Sequence, residues 1–417
     1  MFRLSPQFRL THKFEGPQDA VLSLSCSENA RFLAASGFNG VAVWEVDTLS
    51  PVVVPEKFIA PRKSKYMPSA CTWIYFQNPG TYILLLGTLE GKLLAWKWNK
   101  SRKALEAFGQ ATATTPAQVT SIHVESPSTS SGGTRVVAAF ADHTAAVWKL
   151  KSHGTFKHVY TVTLPHDFLP KAVFFERETG HVYAFALNGG AVALLSRKDG
   201  SVLWRKDAAP ESTGSVAVDS SYERFVIGTG KDFQVFDTID LRYLRTLESS
   251  GPVIVPYPMQ LAFTEDNTQI VTGTDSGQAV LCNVDSGKIV QRLHYPKGGL
   301  VQTVTTFATR EHEYIVLAGS SAERSADVLL WRKKRRTAFW ETMPFWLMLM
   351  IATTAFILAS VFHLEQVRVL DFLERRSIDP GWPQLSGLDS RNLKNAEQNS
   401  LISSGLSSMN NSSPLRF

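Results

Sequence analysis

Short apolar runs, closed by polar turns, recur along the first 331 residues of this chain. The segment Ala20 to Asp47, AVLSLSCSENARFLAASGFNGVAVWEVD, shows the unit. One apolar run meets a polar turn. A second run ends at Ser36-Gly37, a tight turn follows at Asn39-Gly40, and VAVW closes the unit. Each run has strand length, is rich in β-branched and aromatic residues, and is bounded by turn formers. The unit then returns. Cys71 to Phe76, Tyr82 to Gly87 and LLAW ending at Trp96 form the second. Val119 to Val124, Val136 to Phe140 and AAVW ending at Trp148 form the third. The next three end at Leu195, Asp237 and Asn283, and the last closes with VLLW at Trp331. Seven units spaced by roughly 42 to 52 residues predict repeated sheets that bury their faces only against one another.

The last unit supplies three strands, because a basic run follows Trp331. Phe8 to Phe14, FRLTHKF, is left over before the first unit and alternates with period two. It is predicted to complete the seventh unit's sheet as its outermost strand, with Phe8, Leu10, His12 and Phe14 on one face. That pairing ties the chain ends together and covers an open edge. Two longer loops stand out: Ser50 to Ser69 between the first two units, with Arg62, Lys63 and Lys65, and the Ser/Thr/Gly-rich Ser126 to Gly133 within the third. The first of these is a solvated face or a contact for acidic lipid or an acidic partner.

These units resemble the WD-repeat family of β-propellers over nearly all of the first 331 residues. The terminal Trp-Asp of that family is represented by Trp44-Glu45, Trp96-Lys97, Trp148-Lys149, Phe236-Asp237 and Trp331-Arg332. The Gly-His pair that precedes each repeat in the family is essentially missing. The resemblance implies an all-β, seven-bladed propeller over residues 1–331, binding a protein partner on its rim or face.

The remainder has a different pattern. From Thr342 to Leu364 about 23 residues carry no Asp, Glu, Lys or Arg. As a helix this run covers roughly 33 Å, enough for a hydrocarbon core of about 30 Å. A single transmembrane helix over 342–364 in contact with the lipid bilayer is therefore expected. Trp340 and Trp346 at its start are read as interfacial aromatics. The basic residues Arg332, Lys333, Lys334, Arg335 and Arg336 precede the span, within a juxtamembrane segment 332–341. Only Arg368, Arg375 and Arg376 follow at similar reach. That asymmetry places the propeller in the cytosol and the tail 365–417 in a lumen, with the endoplasmic reticulum the expected membrane. With so short a spacer, one part of the ring is expected near the membrane and the partner site on the opposite side. EQVRVLDFLERR is read as a separate short amphipathic helix, and the rest of the tail as a polar, mostly disordered segment. Asn410 opens a glycosylation sequon.

Composition adds limits. The chain has 417 residues, 44% hydrophobic and 19% charged, and a net charge of +6. Five basic residues fall in the one RKKRR run, so no nucleic-acid partner is expected. Cys26, Cys71 and Cys282 are far apart and each sits in an apolar run, which reads as three buried thiols in a reducing compartment. Met1 to Phe14 has no apolar run of the kind that opens a secretory leader.

No HExxH, GxSxG or Walker motif occurs, and the histidines show no metal-ligand spacing. Asp285-Ser286-Gly287-Lys288 and Gly228-Thr229-Gly230 fall in strand-end turns. Lys198 to Trp204, KDGSVLW, matches the tryptophan repeat of quinone-dependent dehydrogenase propellers, but only once. No cofactor, metal or enzymatic activity is expected. The primary reading is a membrane-anchored interaction scaffold. The alternative comes from layout, which is similar to the endoplasmic-reticulum exchange factor for the small GTPase of coat-protein-II vesicles. That family has a glycine-rich, lysine-containing, potassium-binding loop in its first blade. The corresponding segment here is Ser36-Gly37-Phe38-Asn39-Gly40. A third reading, a soluble nuclear or ribosome-assembly propeller, requires the apolar run to dock on a protein.

Overall fold

A computed structural model describes residues 7–17, 19–61, 63–77, 80–125, 133–249, 251, 259–264, 266–296, 298–319 and 326–335, and the helix Phe345–Ser377. The chain divides into two units, Met1–Arg336 and Thr337–Phe417.

The first unit is a seven-bladed β-propeller built from seven four-stranded antiparallel sheets. The second blade shows the order from the inside out: Pro68–Phe76, Thr81–Thr88, Lys92–Asn99, Ala104–Thr112. Second strands such as Phe32–Gly37, Thr81–Thr88 and Thr134–Phe140 are buried on both faces, which is why they read as unbroken apolar runs. Outermost strands such as Val202–Asp207 are mostly exposed and carry no such signal. The core consists of seven clusters, one at each seam between adjacent blades. Phe32, Trp73, Tyr82 and Trp96 join the first blade to the second, and Phe14, Trp44, Val328 and Leu330 join the seventh to the first.

The seventh sheet runs, from outside in, Arg9–Glu15, Asp327–Lys334, His312–Gly319, Val301–Ala308. The N-terminal strand closes the ring as expected, but not with the expected face. Leu10 pairs with Trp331 and His12 with Leu330, so Thr11 is an extra residue in a β-bulge. A bulge of one residue reverses the side-chain alternation. Phe8 is therefore buried in the seam with the sixth blade and Phe14 in the seam with the first. Leu10 stays 42% exposed.

The last strand also runs beyond Trp331. Arg332, Lys333 and Lys334 belong to it, paired with Tyr314, Glu313 and His312. The basic run thus begins inside the propeller rather than after it.

In the second unit a single helix of 33 residues spans Phe345–Ser377. The separate amphipathic helix expected at Glu365 is its continuation, because no Gly or Pro interrupts the run before Pro380-Gly381. Within it Leu349–Leu370, 22 residues of mean hydropathy 1.4, is long and apolar enough to cross a membrane, and its side chains are not buried. Thr342 to Pro344, Arg336, Trp340 and the tail with Asn410 lie outside the described residues, as does the side chain of Trp346.

Candidate functional site

The innermost strands of the seven blades surround a central channel with a cavity of about 500 Å³, to which every blade contributes lining residues. In four blades the innermost strand begins with a β-bulge at the same place. The extra residue is Ser69 in the second blade, Thr120 in the third, Lys171 in the fourth and Gln302 in the seventh. A bulge re-aims one side chain without ending the strand, and all four residues line the channel.

Most of these polar groups lace the ring. The Ser69 hydroxyl donates to Val119 O at 2.7 Å and that of Thr120 to Pro170 O at 2.9 Å, each reaching the next blade. Ser23 Oγ accepts from Cys71 N at 3.1 Å, joining the first blade to the second. Ser215 donates to Met259 O, and Thr303 to Val21 O at 2.6 Å. Gln260 N donates to Gln302 O at 3.0 Å, and the Gln260 amide reaches Leu22 O at 2.9 Å. Among the described residues the innermost strands of the fourth and fifth blades alone share no such bond. Lys171 occupies the lacing position there.

Among the described residues Lys171 is the one charged group in the channel lining. Among the described residues it has no ion pair and no hydrogen bond. Burial pushes its ammonium down from the usual lysine range, with no carboxylate to restore it. His123, on the innermost strand of the third blade, adds no charge: burial pushes its imidazole down to about 4, and Nδ1 accepts from Phe175 N at 3.2 Å.

A second cavity, of about 900 Å³, opens on the second blade and the loop that leads into it. Lys57, Lys65, Lys92 and Arg102 line it with Tyr66 and Phe108. The Tyr66 ring lies 5.2 Å from Lys57 Nζ and 5.1 Å from Lys65 Nζ. Two of the cations are answered locally: Arg102 meets Glu106 at 2.9 Å and Lys92 meets Glu90 at 3.6 Å. Lys63, from the same loop, is exposed, and Arg62 lies outside the described residues.

The aromatic blade residues are packing groups. Trp44, Trp96, Trp148 and Phe236 are buried in third strands, and Trp331 is half-buried. Trp44 lies 4.9 Å from Phe14, Trp96 lies 4.6 Å from Phe58, and Phe236 stacks on Phe225 at 5.2 Å. The basic run is split by strand alternation. Arg332 and Lys334 are exposed, whereas Lys333 and Glu313 face each other at 3.1 Å with 7% of each side chain exposed. Arg335 holds both Asp266 oxygens at 2.8 Å. Burial pushes the Glu313 carboxyl up from the usual range, and the Arg335 guanidinium draws it back down. Cys71 and Cys282 are buried and Cys26 partly so, all three as free thiols; burial raises each, Cys282 to about 12. Such thiols are poor nucleophiles. Among the described residues no group of three His, Cys, Asp or Glu side chains can hold a metal.

Comparison with protein-family models and with curated proteins finds no match. The chain is similar in structure to Saccharomyces cerevisiae Sqt1, whose crystal structure aligns at a TM-score of 0.54 and 14% identity. The alignment covers 79% of this chain and 99% of Sqt1. At that identity the likeness shows the propeller fold alone.

The channel lysine and the bulge that places it have no signature in the sequence. Lys171 reads there as one more polar residue at the start of a strand.

Proposed function

We propose that this chain is a membrane-anchored scaffold whose propeller presents a surface for a protein partner. The observation that carries this reading is the helix Phe345–Ser377, which follows the propeller in sequence and exposes the apolar stretch Leu349–Leu370. Exposed apolar area on that scale calls for a lipid or protein environment. The described blades have no metal cluster or reactive thiol to set against a binding role.

The partner surface fits best at the rim cavity of the second blade. Its lysines, Arg102 and Tyr66 favour an acidic segment that also offers apolar contacts. The propeller is assigned to the cytosol, at the endoplasmic reticulum. The three free thiols and the basic flank support that side, although Lys333 and Arg335 spend their charge on carboxylates of the propeller. The exchange-factor alternative finds no loop to carry it: Gly37 pairs with Gly40 across a two-residue turn, Phe38-Asn39.

Alkaline carbonate extraction followed by protease treatment of intact microsomes tests the proposal. The full chain should stay in the carbonate-washed membranes. Protease should remove the propeller and leave a protected C-terminal fragment. Release by carbonate, or a protected propeller, contradicts it.

A further inference from the structure

Lys171 departs from the pattern set by Ser69 and Thr120. At the equivalent bulge the second and third blades carry Ser69 and Thr120, and each hydroxyl is spent on the next blade. The fourth blade carries an ammonium instead, and among the described residues its innermost strand shares no such bond with that of the fifth. Lys171 is partly exposed to the channel, and among the described residues no carboxylate there answers its charge. An ammonium that faces a cavity without a counter-charge is free to form a charge-assisted hydrogen bond with an oxyanion from outside the molecule.

The lining has donors to spare. Gln302 is 5% exposed and its side chain makes no hydrogen bond among the described residues. Ser121 Oγ accepts from Val173 N at 3.4 Å, which leaves its own proton to donate. Among the described residues no carboxylate lines the cavity. Its volume of about 500 Å³ falls in the range of about 300–1,000 Å³ that holds small ligands.

We propose that the central channel is an oxyanion site, in which a phosphate or carboxylate group pairs with the ammonium of Lys171 and takes hydrogen bonds from hydroxyl and amide donors of the lining. The pairing supplies a counter-charge for Lys171 within the channel. The site lies apart from the rim cavity and does not depend on anchoring.

Titration calorimetry on the full chain in detergent micelles, at fixed ionic strength, tests it with three probes. Inorganic phosphate and citrate represent free oxyanions, and an end-capped peptide with a single Glu represents a carboxylate borne by a partner. At least one should saturate the wild-type protein. Lys171→Met and Lys171→Gln should each weaken that binding at least tenfold, and Lys171→Arg should retain it. The Met variant should melt no lower than wild type without anion, because it removes an unpaired charge. If it fails to fold, the Gln variant carries the comparison. No saturable binding by any probe, or equal binding by wild type and a folded Met or Gln variant, overturns the proposal.

Discussion

Lys333 shows how one residue changes meaning between sequence and structure. In RKKRR it is one of five positive charges. In the last strand it is buried opposite its register partner Glu313, at 3.1 Å, with Nζ 4.7 Å from the Phe8 ring. Alternation along a strand sends neighbours to opposite faces, so the run divides into exposed Arg332 and Lys334 and inward Lys333. The partner is twenty positions upstream, and only pairing of the two strands brings it close. Removing one member of a buried ion pair is costly, whereas replacing both with apolar groups is often neutral or stabilising. Glu313→Ala should therefore lower stability by about 3–5 kcal/mol. The double change Glu313→Leu with Lys333→Met should restore most of it. Urea unfolding of the full chain measures both, and an unchanged Glu313→Ala midpoint contradicts the assignment.

At the scale of elements, the N-terminal strand was legible and its face was not. Period-two alternation located it, but a bulge leaves no mark in the hydrophobic pattern. With Thr11 as the extra residue, Phe8 and Phe14 are 2% and 3% exposed in different seams, while Leu10 is 42% exposed. Truncating a buried Phe costs about 3–5 kcal/mol, and an exposed substitution stays within about 0.5 kcal/mol. Phe14→Ala and Phe8→Ala should each destabilise by the larger amount, and Leu10→Ala should be close to silent. If all three cost the same in chemical denaturation, the strand uses a single face. The C-terminal helix is the converse case. Its apolar stretch was plain, but its end depended on helix breakers rather than on hydrophobicity, so it runs on through Ser377.

For the molecule as a whole, closure matters more than any single blade. The seventh sheet holds strands from both ends of the propeller, and the third blade spans the Ser/Thr/Gly-rich stretch 126–132. A chain cut within that stretch therefore still shares two sheets between its fragments. After cleavage at a protease site inserted there, the fragments should co-elute in native size exclusion and separate only in denaturant. Separation without denaturant shows that the two shared sheets do not hold the ring.

The sequence by itself determined the number of blades, the closing strand and the apolar helix. Each of these rests on a local repeat, period or length that burial imprints on consecutive residues. Tertiary structure decided the rest. It turned Phe8 and Phe14 to opposite faces, drew Lys333 and Arg335 onto carboxylates of the propeller, and set Lys171 alone among polar groups in the channel. Those outcomes depend on strand register and on which residues meet across a seam, and neither is written in the order of hydrophobic and polar positions.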